Sequence, residues 1–174
     1  MCSLSSTSSS AAPGHEIIIV PDVGEPGRQE LRQQCYDVRI DVFHHEQKFP
    51  LDTEIDDLDE TATHILLRLV PSLTPIGTIR CSRNDTQGYY KLSRLAVLQD
   101  YRQYRFGRKL VLALHDYVRQ DLAQCGRAST TVKAHSQIPV KGFYAKFGYS
   151  PEGDEFDEDG APHQLMVARV SLSD

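Results

Sequence analysis

The chain has 174 residues, 40% of them hydrophobic and 25% charged, with a formal net charge of −5. That length predicts one domain with room for a substantial core, and the acidic balance argues against a general nucleic-acid binder, whose surface is normally basic. Four cysteines, Cys2, Cys35, Cys81 and Cys125, show no C-x-x-C or Cys/His ligand spacing; this argues against a disulfide framework or a zinc site and fits reduced thiols in the cytoplasm.

Met1 to Gly14 is rich in Ser and Ala, without the apolar core of a signal peptide or the arginines of a transit peptide. A disordered tail over residues 1–14 is expected, ahead of a single domain over residues 15–174. His15 to Val20 reads as a strand ended by Pro21. Gly27 to Phe43 reads as a helix, with Leu31, Cys35, Val38 and Val42 at helical spacing, and Phe49-Pro50 breaks it. Asp52 to Glu60 carries six carboxylates and is expected to be a loop. His64 to Val70 is nearly all apolar, as in a strand covered on both faces. Ile76 to Cys81 and Tyr90 to Val97 are further strands, joined through a turn at Asn84 to Gly88.

The long helix follows, from about Phe106 to Gln124, with Leu110, Leu114, Tyr117, Val111, Val118 and Leu122 as its buried stripe and Gly126 as its stop. Thr130 to Ala134 is another strand. Pro139 suits the first turn of a short helix that Gly148 ends, and in it Val140, Phe143 and Phe147 read as the core stripe. A second acidic run, Glu152 to Asp159, is also expected to be a loop, before a last strand at Gln164 to Val170. The acidic runs read either as solvated loops or as a negative field for a cationic amine. The order β-α-β-β-β-α-β-α-β predicts an α/β fold with a mixed sheet. No apolar run approaches membrane-spanning length, and no G-x-x-x-x-G-K-[ST] sequence supports nucleotide hydrolysis.

The stretch that carries chemistry is Tyr101-Arg-Gln-Tyr-Arg-Phe-Gly-Arg-Lys-Leu110. It lies between a strand and a long helix. The first amides of a helix have no internal partners, and the helix dipole adds positive charge there. Arg102, Arg105, Arg108 and Lys109 surround that point, so a pyrophosphate site is expected.

Arg102-x-x-Arg105-x-Gly107 after the strand Leu92 to Val97, followed by Phe143-Tyr144-Ala-Lys-Phe-Gly148-Tyr149, resembles the GNAT superfamily of acyl-CoA-dependent N-acyltransferases. Arg105 stands where the family's loop has its first glycine. Phe156 to His163 and Glu46 are similar to the ElaA-like branch. The resemblance implies a mixed, largely antiparallel sheet flanked by helices on both faces, and acetyl-CoA as co-substrate without a metal. It implies coenzyme contacts from Leu95, Ala96 and Val97 on the strand edge, and from Arg102, Gln103, Tyr104, Arg105, Phe106, Gly107, Arg108 and Lys109 in the turn. Homodimers are common in that superfamily.

Tyr144 is the candidate acid for the leaving thiolate, and also a coenzyme contact; on the helical wheel it points about 100° from Phe143, away from the expected core stripe. Glu46 and His163 are the main candidate bases, with Glu54 also considered; His64 reads as a structural histidine. The expected activity is acetyl transfer to a small primary amine by direct attack. A protein lysine or N-terminus as acceptor, and a catalytically silent coenzyme-binding module, are the alternatives. Cys81 and Cys125 read as core or near-core residues rather than nucleophiles.

Overall fold

The computed structural model describes residues 10–174. The Ser-rich tail expected over residues 1–14 thus lies outside the described residues as far as residue 9, and Gly14 is already tied to the domain by the Val70 amide at 3.0 Å. Strand β2 (Thr63–Leu69) shows how the layers arise. Successive side chains on a strand point to opposite faces. Ile65 and Leu67 enter the main core, whereas Leu66 between them packs with Cys35 of helix α1 (Arg28–Arg39) on the other face. The apolar run Ile65 to Leu67 at the centre of this strand is therefore covered by helices on both faces.

The sheet has seven strands in the order β1-β2-β3-β4-β5-β7-β6. The remaining strands are β1 (His15–Ile19), β3 (Pro75–Asn84), β4 (Tyr89–Val97), β5 (Ser129–Gln137), β6 (Ser150–Glu158) and β7 (Ala161–Ser171). All neighbours are antiparallel except β4 and β5. Helix α3 (Phe106–Gln124) covers the face opposite α1. Its Leu110, Leu114, Val118 and Leu122 are fully buried, each burial of this kind contributing about 2 kcal/mol. The expected mixed sheet with helices on both faces is what the chain forms.

Four local expectations differ from the structure. The first helix ends as an α-helix at Arg39 and continues as a π-helical turn over Ile40–Glu46, held by bonds such as Gln47 N–H to Val42 O at 2.9 Å. The first acidic run is not a solvated loop: it contains helix α2 (Leu58–Thr61), and Glu54 and Asp59 are buried. The second acidic run is strand β6 at the sheet edge. Its side chains stay largely in water, so it shows no apolar alternation. Charge, Pro151 and a register shift between Glu152 and Phe156 are features that keep an edge strand from pairing with another chain. Cys125 is exposed rather than near-core, while Cys35 and Cys81 are buried and unpaired. No helix of the described residues is long and apolar enough to cross a membrane.

Candidate active site

Strands β4 and β5 are paired only from Tyr89 to Leu92 against Thr131 to Ala134. Beyond that they part. A bulge causes the divergence: the β3–β4 register shifts between Thr78 and Arg80, and Arg94 opposite takes a φ of 53°, a left-handed value that raises local twist. Ser93 to Val97 keep β3 on one side and have no ladder partner on the other. A cavity of about 860 Å³ opens along this free edge, lined there by Leu95, Ala96 and Val97. An extended amide-containing arm can pair with such an edge as a peptide adds to a sheet.

The cavity reaches the start of α3. A short 3-10 turn over Gln99–Tyr104 is followed by Arg105 at φ 58°, ψ 33°. Arg105 thus adopts the left-handed conformation that a glycine takes freely. The Lys109 amide bonds back to Arg105 O at 3.3 Å, so the amides of Phe106, Gly107 and Arg108 lie in the first turn without helical partners. Gly107 and the cations Arg105 and Arg108 line the cavity.

The other expected contacts divide. The Phe106 side chain is core, with only its backbone at the turn. Tyr104 packs partly against the same core, and Gln103 is exposed. Lys109 is 2.9 Å from His15 Nε2 and is not part of the cavity wall. Arg102 lines the cavity, but its guanidinium is already engaged. Its Nε donates to Val97 O at 2.9 Å, and its two terminal nitrogens donate to both oxygens of Glu46 at 2.6 and 2.5 Å. Lys146, which sequence reading did not single out, also lines the wall.

Tyr144 lies on helix α4 (Lys141–Ala145). The wheel reading is inverted here. Tyr144 is the buried residue of this helix, whereas Phe143 and Phe147 are half-buried and Val140 is exposed. All four line the cavity. The apolar stripe on this helix therefore faces a ligand channel as well as protein. Burial pushes the Tyr144 phenol well above its ordinary value, which keeps it protonated and able to donate. Its ring meets Tyr149 edge-on at 5.6 Å, and the Tyr149 hydroxyl is 2.8 Å from His115 Nε2 inside the core.

The candidate bases also separate. Glu46 sits at the end of the π turn, and the hydrogen bonds from Arg102 hold its carboxyl below the usual range. His163 is buried and lines the cavity. Register explains its company. Gln137 on β5 pairs with His163 on β7, and His163 pairs with Phe156 on β6, so residues from three strands share one face. His135 Nδ1 is 2.8 Å from Glu158 Oε1, and His163 Nε2 is 3.7 Å from Glu158 Oε2. Phe156 meets His135 edge-on at 5.0 Å and stacks on His163 at 6.1 Å. The hydrogen bond from His135 keeps Glu158 below the ordinary carboxylate range. The sequence signal for His135 is the period-2 row Lys133, His135, Gln137 on one strand face; no signal of that kind marks Glu158 inside an acidic run.

Four of the six carboxylates in the first acidic run, Glu54, Asp56, Asp59 and Glu60, are paired with arginines. Arg39, with its side chain 1% exposed, donates to Glu54 at 2.7 Å and to both oxygens of Asp59 at 2.7 and 3.0 Å. Arg80 reaches Asp56 and Asp59 at 2.7 Å, and Arg94 reaches Asp56 at 3.3 Å. For Asp59, burial alone would raise the carboxyl, but the bonds from Arg39 reverse this and hold it far below its ordinary value. For Glu54 burial wins over the Arg39 pair and the carboxyl rises. This network braces the bulged part of β4 from the α1 side. His64 is structural as expected, its Nε2 2.9 Å from Asp59 O and its Nδ1 without a partner. Among the described residues no group of three His, Cys, Asp or Glu side chains is placed to hold a metal ion.

Comparison with known proteins matches residues 31–170 to the family model described as an acetyltransferase (GNAT) domain. YyaT of Bacillus subtilis, itself uncharacterised, is 34% identical over 138 residues, covering 77% of this chain and 86% of that protein. The N-acetyltransferase YjcF of the same organism, also uncharacterised, is 32% identical over 140 residues, covering 80% and 93%. The crystal structure of Escherichia coli ElaA has the same fold, with a TM-score of 0.72 at 22% identity, covering 88% of this chain and 99% of that one.

Proposed function

The chain belongs to the GNAT family of acyl-CoA-dependent N-acyltransferases, and on that premise we propose that it moves an acetyl group from acetyl-CoA to a small primary amine by direct attack in a ternary complex. The observation that carries this reading is the continuity of the cavity. A free β4 edge leads to the unpaired amides of α3, with Arg105 and Arg108 beside them. Those donors suit the coenzyme's diphosphate, and the edge suits the amides of its pantetheine arm.

Tyr144 is the acid in this proposal. The neutral amine nitrogen forms a bond to the acetyl carbon, the carbon–sulfur bond breaks, the phenol protonates the departing thiolate, and the proton that the nitrogen sheds on becoming an amide restores the phenol. The attacking amine must first lose a proton, because an alkylamine with a pKa near that of lysine is neutral in only about one molecule in 10³ at neutral pH. His163 faces the cavity, and Glu46 is held by Arg102 outside its wall, which supports His163 as the proton acceptor. A bond from Gln137 Nε2 to Gln47 Oε1 at 2.9 Å joins the end of β5 to the segment after the π turn. That strap over the parted strands supports a small acceptor over a protein segment. The free thiols of the described cysteines support a cytoplasmic setting.

Tyr144→Phe is the direct test. Calorimetry with acetyl-CoA is expected to show unchanged affinity, while thiol release with a panel of primary amines falls about 10²-fold or more. Absence of any heat of binding to acetyl-CoA in the wild-type protein would end this reading.

A further inference from the structure

The cavity-facing side of β5, β6 and β7 carries a group of titratable side chains, His135, Glu158 and His163. Glu158 stands between two imidazoles, with His135 Nδ1 at 2.8 Å from one carboxylate oxygen and His163 Nε2 at 3.7 Å from the other. The two contacts differ in kind. His163 Nδ1 is 2.8 Å from Ala161 O, and a carbonyl only accepts, so Nδ1 carries the proton. In the neutral ring Nε2 is then a lone pair. It faces the carboxylate oxygen Oε2, which is also an acceptor. Two acceptors at that separation lack a donor between them. Lys91 and Asp159 line the same cavity, and Lys91 is near enough to favour the charged form of Glu158.

We propose that the acceptor's cationic amino group bridges Glu158 Oε2 and His163 Nε2 from the cavity side, with His163 Nε2 as the atom that takes its proton. An ammonium brings several N–H donors to one point, so it can satisfy both acceptors together. When the proton passes to Nε2, His163 becomes an imidazolium facing the Glu158 carboxylate, and the amine is left neutral with its lone pair free. That proton is afterwards released to water. His135 is a positioning residue: its Nδ1–H fixes the rotamer of Glu158, and Phe156 packs against both rings. The acceptor class is therefore an alkylammonium, with a neutral or acidic nucleophile disfavoured by the carboxylate. The assignment deepens the acetyl-transfer reading and rests on it.

Imidazole nitrogen magnetic resonance tests this without turnover, on protein with and without coenzyme A, using n-butylammonium as the probe. The His163 ring is expected to show the Nδ1-protonated tautomer and to shift on addition of the probe, while n-butanol causes no shift. In Glu158→Gln the response should weaken roughly tenfold or more, as for loss of a hydrogen bond to a charged group, and His135 should lose its tautomer preference. Glu158→Asp, which keeps the charge on a shorter arm, serves if the amide variant does not fold. An unchanged response in folded Glu158→Gln, an equal response to n-butanol, or no shift in the wild type at millimolar excess would overturn the assignment. Calorimetry with acetyl-CoA on the same samples separates the outcomes: coenzyme binding without an amine response defeats this assignment alone, whereas failure to bind coenzyme defeats the acetyl-transfer reading beneath it.

Discussion

Arg105 is held at φ 58° at the mouth of α3, a conformation that costs an L-residue roughly 1–2 kcal/mol. Replacing it with glycine removes that strain and leaves the turn's backbone unchanged. Glycine's greater freedom in the unfolded chain costs roughly 0.5–1 kcal/mol, so the net gain should lie between about 0 and about 1.5 kcal/mol. For a domain of this size each kcal/mol raises Tm by about 2–4 °C. The same substitution removes one of the two arginines that line the cavity without a side-chain partner among the described residues. Arg105 is exposed, so the lost attraction is screened and worth about 0.5–1 kcal/mol, or roughly two- to fivefold in affinity for acetyl-CoA. Arg105→Ala separates the two effects, because it loses the charge and keeps the strain. Thermal melts should rank glycine above both arginine and alanine, while calorimetry should show both variants binding equally weakly. The difference from wild type should shrink as salt is added. If Arg105→Gly bound acetyl-CoA as tightly as wild type, the guanidinium would have no part in holding phosphate. If it melted no higher than Arg105→Ala, the strain argument would be wrong.

The buried ion network makes a stability prediction. Asp59→Asn leaves Arg39 and Arg80 short of a counter-charge in a site where the Asp59 side chain is 2% exposed, so urea unfolding should show a loss of about 3–5 kcal/mol. The pH dependence has a definite sign. Burial holds His64 and His115 down to about 4 in the folded state, against an ordinary value of about 6.5. The unfolded chain therefore binds more protons between those limits. The stability they contribute is complete above about pH 6.5 and is lost as the pH falls toward about 4. From about pH 7 to about pH 5 the loss should be roughly 2 kcal/mol per histidine. Asp59, depressed in the folded state, adds to the loss only below the ordinary carboxylate range. Urea midpoints that stayed level between those two pH values would show that these rings are protonated inside the fold.

Reading the residues in order was enough to find the strand into Val97, the turn with its arginines and the stripe of α3. Each of these is a local pattern: an apolar alternation, a helix start, an aliphatic residue every third or fourth position. Side-chain partners were not legible in this way. Arg102 turns from phosphate ligand to Glu46 partner because the π turn after α1 brings Glu46 to the same end of the sheet. Glu54, Asp56 and Asp59 read as solvated because their arginines come from α1, β3 and β4. Strand β6 hid behind its charges, since an edge strand bonds through its backbone and leaves its side chains to water. The stripe on α4 pointed to protein, when it also walls a channel. His135, Glu158 and His163 meet only because β7 lies between β5 and β6. The chain's own pattern thus determined its backbone and its coenzyme turn, because those depend on neighbours a few residues apart. The tertiary fold decided the charge pairings in the site, because Coulomb attraction and hydrogen bonds act through space and the helices, turns and strands that bring the partners together are remote along the chain.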